Sequence, residues 1–339
     1  MKSSPSDVDI DTMLQTRFLE AMQSLSTLPE TWGGKPYHPI SADYKTRFGG
    51  KVVKVPVSIA ESCPNRDGLK GMQTCIFCDE HGSFAYADSQ KDDLKSQIEL
   101  HRSKVSERFN AAKFLVYFQA YTTTFTALGR LKAGFDLALS YPDTVGVVVG
   151  TRPDCLSEAV IRTWQEYSEK TFVGIELGVQ SFDDGQLEWM RRGHTGSQAI
   201  RGIERIAREA PGVDLGIHLM FGWPTENDKQ IIETAKLCND LPISNVKLHN
   251  LHVLAKTPLA DLYHAGEFEP IDLPTYAHRV ALFLDHLDPR IAVHRLAALS
   301  NRWDELIAPD WVRHKMRSFQ SMIDGINERG AYQGRLYTP

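Results

Sequence analysis

Val52-Val-Lys-Val-Pro-Val-Ser-Ile59 runs directly into Ala60-Glu-Ser-Cys63-Pro-Asn-Arg-Asp-Gly68, and the loop that follows closes on Thr74-Cys75-Ile-Phe-Cys78. The first eight residues are rich in β-branched side chains and read as a strand. Pro64, Gly68 and Gly71 then mark a loop rather than a helix or a strand. Three of the five cysteines sit in this stretch. Cys75 and Cys78 have two residues between them, so both sulfurs reach one metal from a single tight turn; eleven residues separate Cys63 from Cys75, enough for the loop to fold back. A structural zinc usually takes four protein ligands, and His81 stands close enough to be the fourth. An iron–sulfur cube on three thiolates keeps one iron open. A bare Cys-x-x-Cys also serves as a redox pair, which would leave Cys63 idle.

Downstream the chain alternates. Apolar runs at Ala112–Phe118, Thr144–Val149, Phe172–Gln180, Leu215–Phe221 and Val246–His249 read as strands. Helical patterns separate them at Ser89–Phe109, Phe125–Ser140, Leu156–Glu169, Asp183–Met190, Ser197–Glu209 and Asn227–Leu241, the last capped near Thr225 or Glu226. Strands with almost no polar side chains, spaced by helices, predict βα units and a buried parallel sheet. With the cysteine-loop strand this makes six units; a full eight-stranded barrel needs two more, and Ile291–His294 is one further short candidate. Upstream, Ile10–Leu25 reads as a peripheral helix, and Trp32–Tyr37 as a turn-rich approach held down by Tyr44 and Phe48. Downstream, Trp303 and Trp311 open a helical tail ending near Arg329-Gly330. The expected division is an N-terminal helix and arm over 1–50, a barrel core over 51–300 and a C-terminal helical extension over 301–339.

The 339 residues carry a formal net charge of -5, against a broadly basic nucleic-acid-coating protein but silent about local patches. No run of eighteen apolar residues predicts a transmembrane helix, and the first residues lack the apolar segment of a secretory signal. Clustered cysteines in odd number suit a reducing cytoplasm; Cys155 and Cys238, standing alone, read as small buried hydrophobes.

The triplet, with Phe77 just before its last cysteine, resembles that of the radical S-adenosylmethionine (SAM) superfamily. The first gap departs from the usual pattern, eleven residues rather than three. That long gap is similar to the branch containing the Elongator catalytic subunit and, more closely, to the bacterial family typified by YhcC and YtqA. Cys63-Pro-Asn-Arg-Asp-Gly68, Tyr117-Phe-Gln-Ala-Tyr-Thr122, Gly150-Thr-Arg-Pro-Asp-Cys155 and Arg192-Gly-His194 look like that family's signatures, from about Trp32 to near the C-terminus. The resemblance implies an α/β fold, a partial (β/α)6 barrel with C-terminal additions. It implies a 4Fe–4S cluster on the catalytic thiolates of Cys63, Cys75 and Cys78, with the amino and carboxylate groups of SAM on the fourth iron. A flavodoxin-like or ferredoxin-like donor would supply the electron that cleaves SAM, and the resulting radical would abstract hydrogen from the substrate. Similarity to the Elongator-like branch and to YtqA-type relatives implies tRNA, at a wobble uridine. A small metabolite is the alternative substrate, and a zinc-bound interaction module the non-enzymatic alternative.

Chemistry in parallel barrels gathers at the C-terminal strand ends. Gln119 and Ala120 follow the second strand, where the superfamily holds the methionyl amine; the acidic residue usual there is missing. Arg152 follows the third, as a partner for the SAM carboxylate or for Asp154. Glu176 and Gln180 share one face of the fourth strand. Glu176, in an apolar run, needs a partner: the resemblance places it with Gln180 and Arg192 at the SAM site, and a structural ion pair is the other reading. Trp223, in Gly222-Trp-Pro-Thr-Glu226, either stacks on adenine or seals the barrel. His194, His218, Lys247, His249, His252 and His294 are the candidates for the substrate side.

Overall fold

The computed structural model of the chain describes residues 28–71, 73–82, 84, 89–298 and 303–339. The Ile10–Leu25 helix expected from the sequence lies outside them. Six βα-type strands form where the apolar runs stand: β1 (Val52–Val57), β2 (Lys113–Phe118), β3 (Thr144–Thr151), β4 (Phe172–Gln180), β5 (Asp214–Phe221) and β6 (Asn245–Asn250). They pair in parallel with their sequence neighbours, and β8 (Ala292–Val293) adds a seventh strand beside β6. Sequential order throughout gives a curved, open partial barrel rather than a doubly wound sheet.

The connecting helices are α2 (Leu94–Phe109), α3 (Leu128–Leu139), α4 (Glu158–Ser168), α5 (Asp184–Trp189), α6 (Gly196–Glu209) and α7 (Asp228–Asp240), preceded by α1 (Ile40–Phe48) in the arm. Side-chain caps start most of them. Thr195 and Gln198 form a capping box on α6, as do Asn227 and Gln230 on α7. The cap of α7 is therefore Asn227 and not Thr225 or Glu226: its amide accepts from the Gln230 N–H three residues on, the distance a cap must span. The helices bury residues such as Phe135, Trp164, Ile203 and Phe283 against the outward side chains of the strands, Val116, Val149, Ile175 and Leu219 among them.

Three elements after β6 lie outside the sequence expectation: α8 (Pro258–His264), α9 (Leu273–His286) and the two-stranded β7 (Val253–Leu254) with β9 (Leu306–Ala308). The two helices do carry start signals, Thr257 and Asp272 as caps with a proline in the first turn. The tail differs from expectation as well. Pro309 lacks an N–H and follows β9, so residues 303–314 form that strand and a short 3-10 turn, and the helix α10 covers only Lys315–Glu328. Strand β8 also meets the arm: the Val293 N–H donates to the His38 carbonyl, and Pro39 bridges Val293 in parallel. α1 packs on both β1 and β8, covering the gap the open sheet would leave.

Candidate active site

Period-two alternation sends one side chain from each strand into the barrel at each level. At the N-terminal end the level is apolar, with Leu115, Val148, Ala292, Tyr44 and the partly buried Phe172 in one cluster. One step up, Lys54, Tyr117, Glu176, His218, Lys247 and His294 meet from β1, β2, β4, β5, β6 and the end of β8. The Glu176 carboxylate is their hub. It accepts from Lys54, from the Tyr117 hydroxyl at 2.7 Å, from Lys247 at 3.0 Å and pairs with His218 Nε2 at 2.6 Å. Burial alone would raise the Glu176 carboxyl, but Lys247 and Lys54 override it and hold the group ionised well below the usual carboxylate range. Burial and Lys247 push His218 down to about 4, and burial brings Lys247 itself down to about 8. His294 is kept neutral in the same way, its Nε2 2.7 Å from the Asn245 amide oxygen.

Above this layer a cavity of about 290 Å3 opens at the C-terminal strand ends. Cys63, Cys75 and Cys78 line it together with Gln119, Arg152, Glu176, Gln180, Arg192, His218, Lys247, His249 and His252. Twelve of the sixteen sequence-proposed residues thus share one chamber. Ala120 is buried beneath Gln119, and His294 belongs to the ionic layer below. His194 is buried behind the Arg192 turn, where burial and Arg192 press it down to about 3. Trp223 lies outside the lining, its ring 5.5 Å from that of Trp189.

The cysteine loop is seated by the Arg191-Arg192-Gly193 turn. Asn65 Nδ2 donates to the Arg191 carbonyl at 2.6 Å and approaches the Cys75 sulfur at 3.2 Å. Arg192 Nη1 lies 3.3 Å from that sulfur, and the Arg66 backbone N–H 3.5 Å from Cys63. Arg152 is held by Asp154 at 2.9 Å and donates to the Arg192 carbonyl, tying the β3 end to the same turn. Arg191 and Gln180 both have positive φ, 54° and 72°, so the turn and the end of β4 are bent where they face the cavity.

Among the described residues no three His, Cys, Asp or Glu side chains are gathered to hold a single metal ion. Four-coordinate zinc needs its ligands around one point about 2.3 Å from each sulfur. A cluster instead takes one thiolate per iron, so its sulfurs line a chamber without converging. Three free thiols around one cavity, each approached by an N–H donor or a cationic side chain, fit the second donor set. The buried Gln180 Oε1 and Asn250 amide, with no hydrogen-bond partner among the described residues, face the same chamber and suit a polar occupant.

The profile of the Radical SAM superfamily matches residues 57–238, and that of the Radical_SAM C-terminal domain matches residues 243–327. The chain belongs to the radical SAM superfamily. YtqA of Bacillus subtilis is 31% identical over 303 residues, covering 89% of this chain and 93% of YtqA. YhcC of Escherichia coli is 32% identical over 298 residues, covering 88% of this chain and 94% of YhcC. The chain is a member of their family within the superfamily, and its domain architecture is that of a radical SAM enzyme. A tRNA uridine(34) acetyltransferase of Methanocaldococcus jannaschii is 28% identical over 145 residues, 40% of this chain and 26% of that protein. The solved Elp3 of Methanocaldococcus infernus shares the fold, with a TM-score of 0.51 at 19% identity over 72% of this chain and 56% of that one. No helix among the described residues is long and apolar enough to cross a membrane.

Sequence reasoning passed over Lys54, Tyr117, Arg295 and Asn65 as site residues. Lys54 had a signal, as the single charge inside an apolar strand. Arg295 had none, since β8 is only two residues long.

Proposed function

We propose that Cys63, Cys75 and Cys78 hold a 4Fe–4S cluster, that SAM binds above it in the strand-end cavity, and that the enzyme abstracts hydrogen from a tRNA nucleotide at the wobble uridine. The observation that carries the reading is the shared chamber: three thiols at one wall and a polar strand-end constellation at the others. When bound, the cluster and SAM supply reductive cleavage to methionine and a 5′-deoxyadenosyl radical, with the electron from a flavodoxin-like or ferredoxin-like protein.

The chain's own residues set the geometry. Arg192 and Asn65 direct N–H groups at the Cys75 sulfur and orient the loop. Arg152 is braced by Asp154, Lys70 completing the pair at 2.8 Å, and stands at the β3 end as a cation for a carboxylate. Gln119 and Gln180 offer amide groups at the ends of β2 and β4. The neutral His218 and His249 rings lie 5.0 Å apart, tilted by 31°, and form the far wall. Lys247 donates to the ionised Glu176. The layer beneath shuts the barrel floor against water. Free thiols at a half-buried loop belong in a reducing cytoplasm.

Support for tRNA comes from the acetyltransferase whose name specifies uridine 34 and from the Elongator-like cysteine spacing. Positive charge on an acidic protein must then be local. Arg313 is committed to the Trp303 and Leu306 carbonyls and to Asp310, while Lys315 and Arg317 are exposed on α10. The test compares nucleosides from total tRNA of deletion and parent strains by mass spectrometry. A modified wobble uridine lost in the deletion, and restored only by an intact cysteine triplet, is expected. Identical profiles, with no salt-dependent tRNA binding, would reject tRNA in favour of a small metabolite.

A further inference from the structure

Apart from the three cysteines at one wall, the cavity's cationic side chains differ in what answers them. Four cationic side chains line it, Arg152, Arg192, Lys247 and Arg295, against two carboxylates, Asp79 and Glu176. Three of the cations are engaged. Arg152 has Asp154, Lys247 has Glu176, and Arg192 is spent on the Gly178 carbonyl and the Cys75 sulfur at the cysteine end. Arg295 has no carboxylate within ion-pair distance among the described residues. Its Nη2 rests on the ring nitrogens of His249, at 2.8 and 3.1 Å, and its buried Nε has no partner among the described residues. His249 is neutral, held well below its ordinary range by burial and by Arg295 itself, so it accepts a hydrogen bond without neutralising the charge.

A half-buried guanidinium whose buried Nε is unpaired among the described residues and whose Nη2 meets a neutral ring is an incomplete arrangement, and the usual completion is an anion. Its planar fork suits two oxygens of one group.

We infer that Arg295, propped by His249, is the receptor for an anionic oxygen group of the substrate, a carboxylate or a phosphate. This rests on the cavity being the reaction chamber of a radical SAM enzyme, and it holds for a nucleotide phosphate or a metabolite carboxylate alike. Arg192 serves the cysteine end; Arg295 stands after β8, the strand beside the arm, and marks the substrate end. It positions the substrate by its charge and so sets which hydrogen faces the cofactor.

The experiment uses the full chain, cluster-reconstituted and saturated with SAM, titrated with inorganic phosphate and separately with acetate. Sodium chloride holds ionic strength constant, and calorimetry reads binding. At least one anion should bind saturably to wild type and at least fivefold more weakly to Arg295→Gln, with SAM affinity changed less than twofold; which one binds identifies phosphate or carboxylate. Arg295→Lys keeps the charge without the fork and should fall between. In wild type, the binding anion should suppress phenylglyoxal labelling of Arg295, a readout that needs no variant to fold. Equal binding to Arg295→Gln, or no anion binding beyond chloride, overturns the proposal. A tenfold loss of SAM affinity in Arg295→Gln also overturns it, by giving this arginine to the cofactor. Absent SAM binding in wild type would instead strike the function proposed above.

Discussion

His218 Nε2 and Glu176 Oε2 are 2.6 Å apart across β5 and β4, and the imidazole in this contact is neutral while the carboxylate is charged. The charge on Glu176 is answered by Lys54 and Lys247 from opposite sides of the barrel. Breaking a buried pair by removing one partner typically costs about 3–5 kcal/mol, because the other charge is stranded. Glu176→Ala strands two lysines and should lose at least that much, read by urea unfolding. A loss under about 1 kcal/mol would show that the layer is not a structural brace.

Acid should unfold the protein early. His194 and His218 are pushed down to about 3 and about 4, and His249 and His294 lie well below their ordinary 6.5. Each is depressed in the fold, so the unfolded chain binds more protons below pH 6.5; the stabilisation is complete above that pH and drains as pH falls towards the folded values. Each contributes up to about 1.4 kcal/mol per pH unit, set against a total stability on the order of 5–15 kcal/mol. The urea midpoint should drop steeply between pH 6.5 and 5. A flat midpoint over that interval would mean that these rings are protonated in the fold.

The cysteine assignment predicts iron content. Wild type should take about four irons per chain on anaerobic reconstitution. Cys63→Ala, Cys75→Ala and Cys78→Ala should each lose the intact cluster. Cys155→Ala and Cys238→Ala should keep it, since Cys238 is buried on the inner face of α7 and Cys155 sits beside Asp154. A normal iron count in Cys63→Ala would remove that residue from the ligand set.

The turn that seats the loop offers a sharper probe. Gly193 has φ +66°, and a Cβ there would stand 2.7 Å from Asn65 Oδ1 and 3.0 Å from Lys70 Cβ. Gly193→Ala should displace Asn65 from Cys75, costing about 1–3 kcal/mol as overpacking does, and should slow cluster uptake with secondary structure intact. Uptake at the wild-type rate would show that the loop is seated without Asn65.

The six long strands were legible because strands buried on both faces are continuously apolar, as Thr144–Thr151 and Phe172–Gln180 are. Glu176 stood out as the one charge in its run. What stayed hidden depends on tertiary context. The two-residue β8 has no period to read, and its place is set by β6 on one side and the arm on the other. Trp223 was ambiguous because an aromatic after a strand serves a ligand or a neighbour equally well, and here Trp189 is the neighbour. Arg313 stands beside His314 and Lys315 in the sequence, and only the fold shows that its guanidinium donates to backbone carbonyls.

The clasp between the arm and the far end of the chain bears on synthesis. The His38 N–H donates to the Gln333 side chain and the Gln333 N–H to the Pro36 carbonyl, a contact spanning 295 residues. A ribosome making about 5–20 residues per second exposes residue 38 well before residue 333, a delay on the order of 15–60 s. For most of that interval β8, the arm's other anchor, is also unmade. The cysteine loop emerges early, at the head of a sheet whose last stave is missing. While the chain is being made, the cysteine loop therefore stands on a sheet that the arm cannot yet clasp.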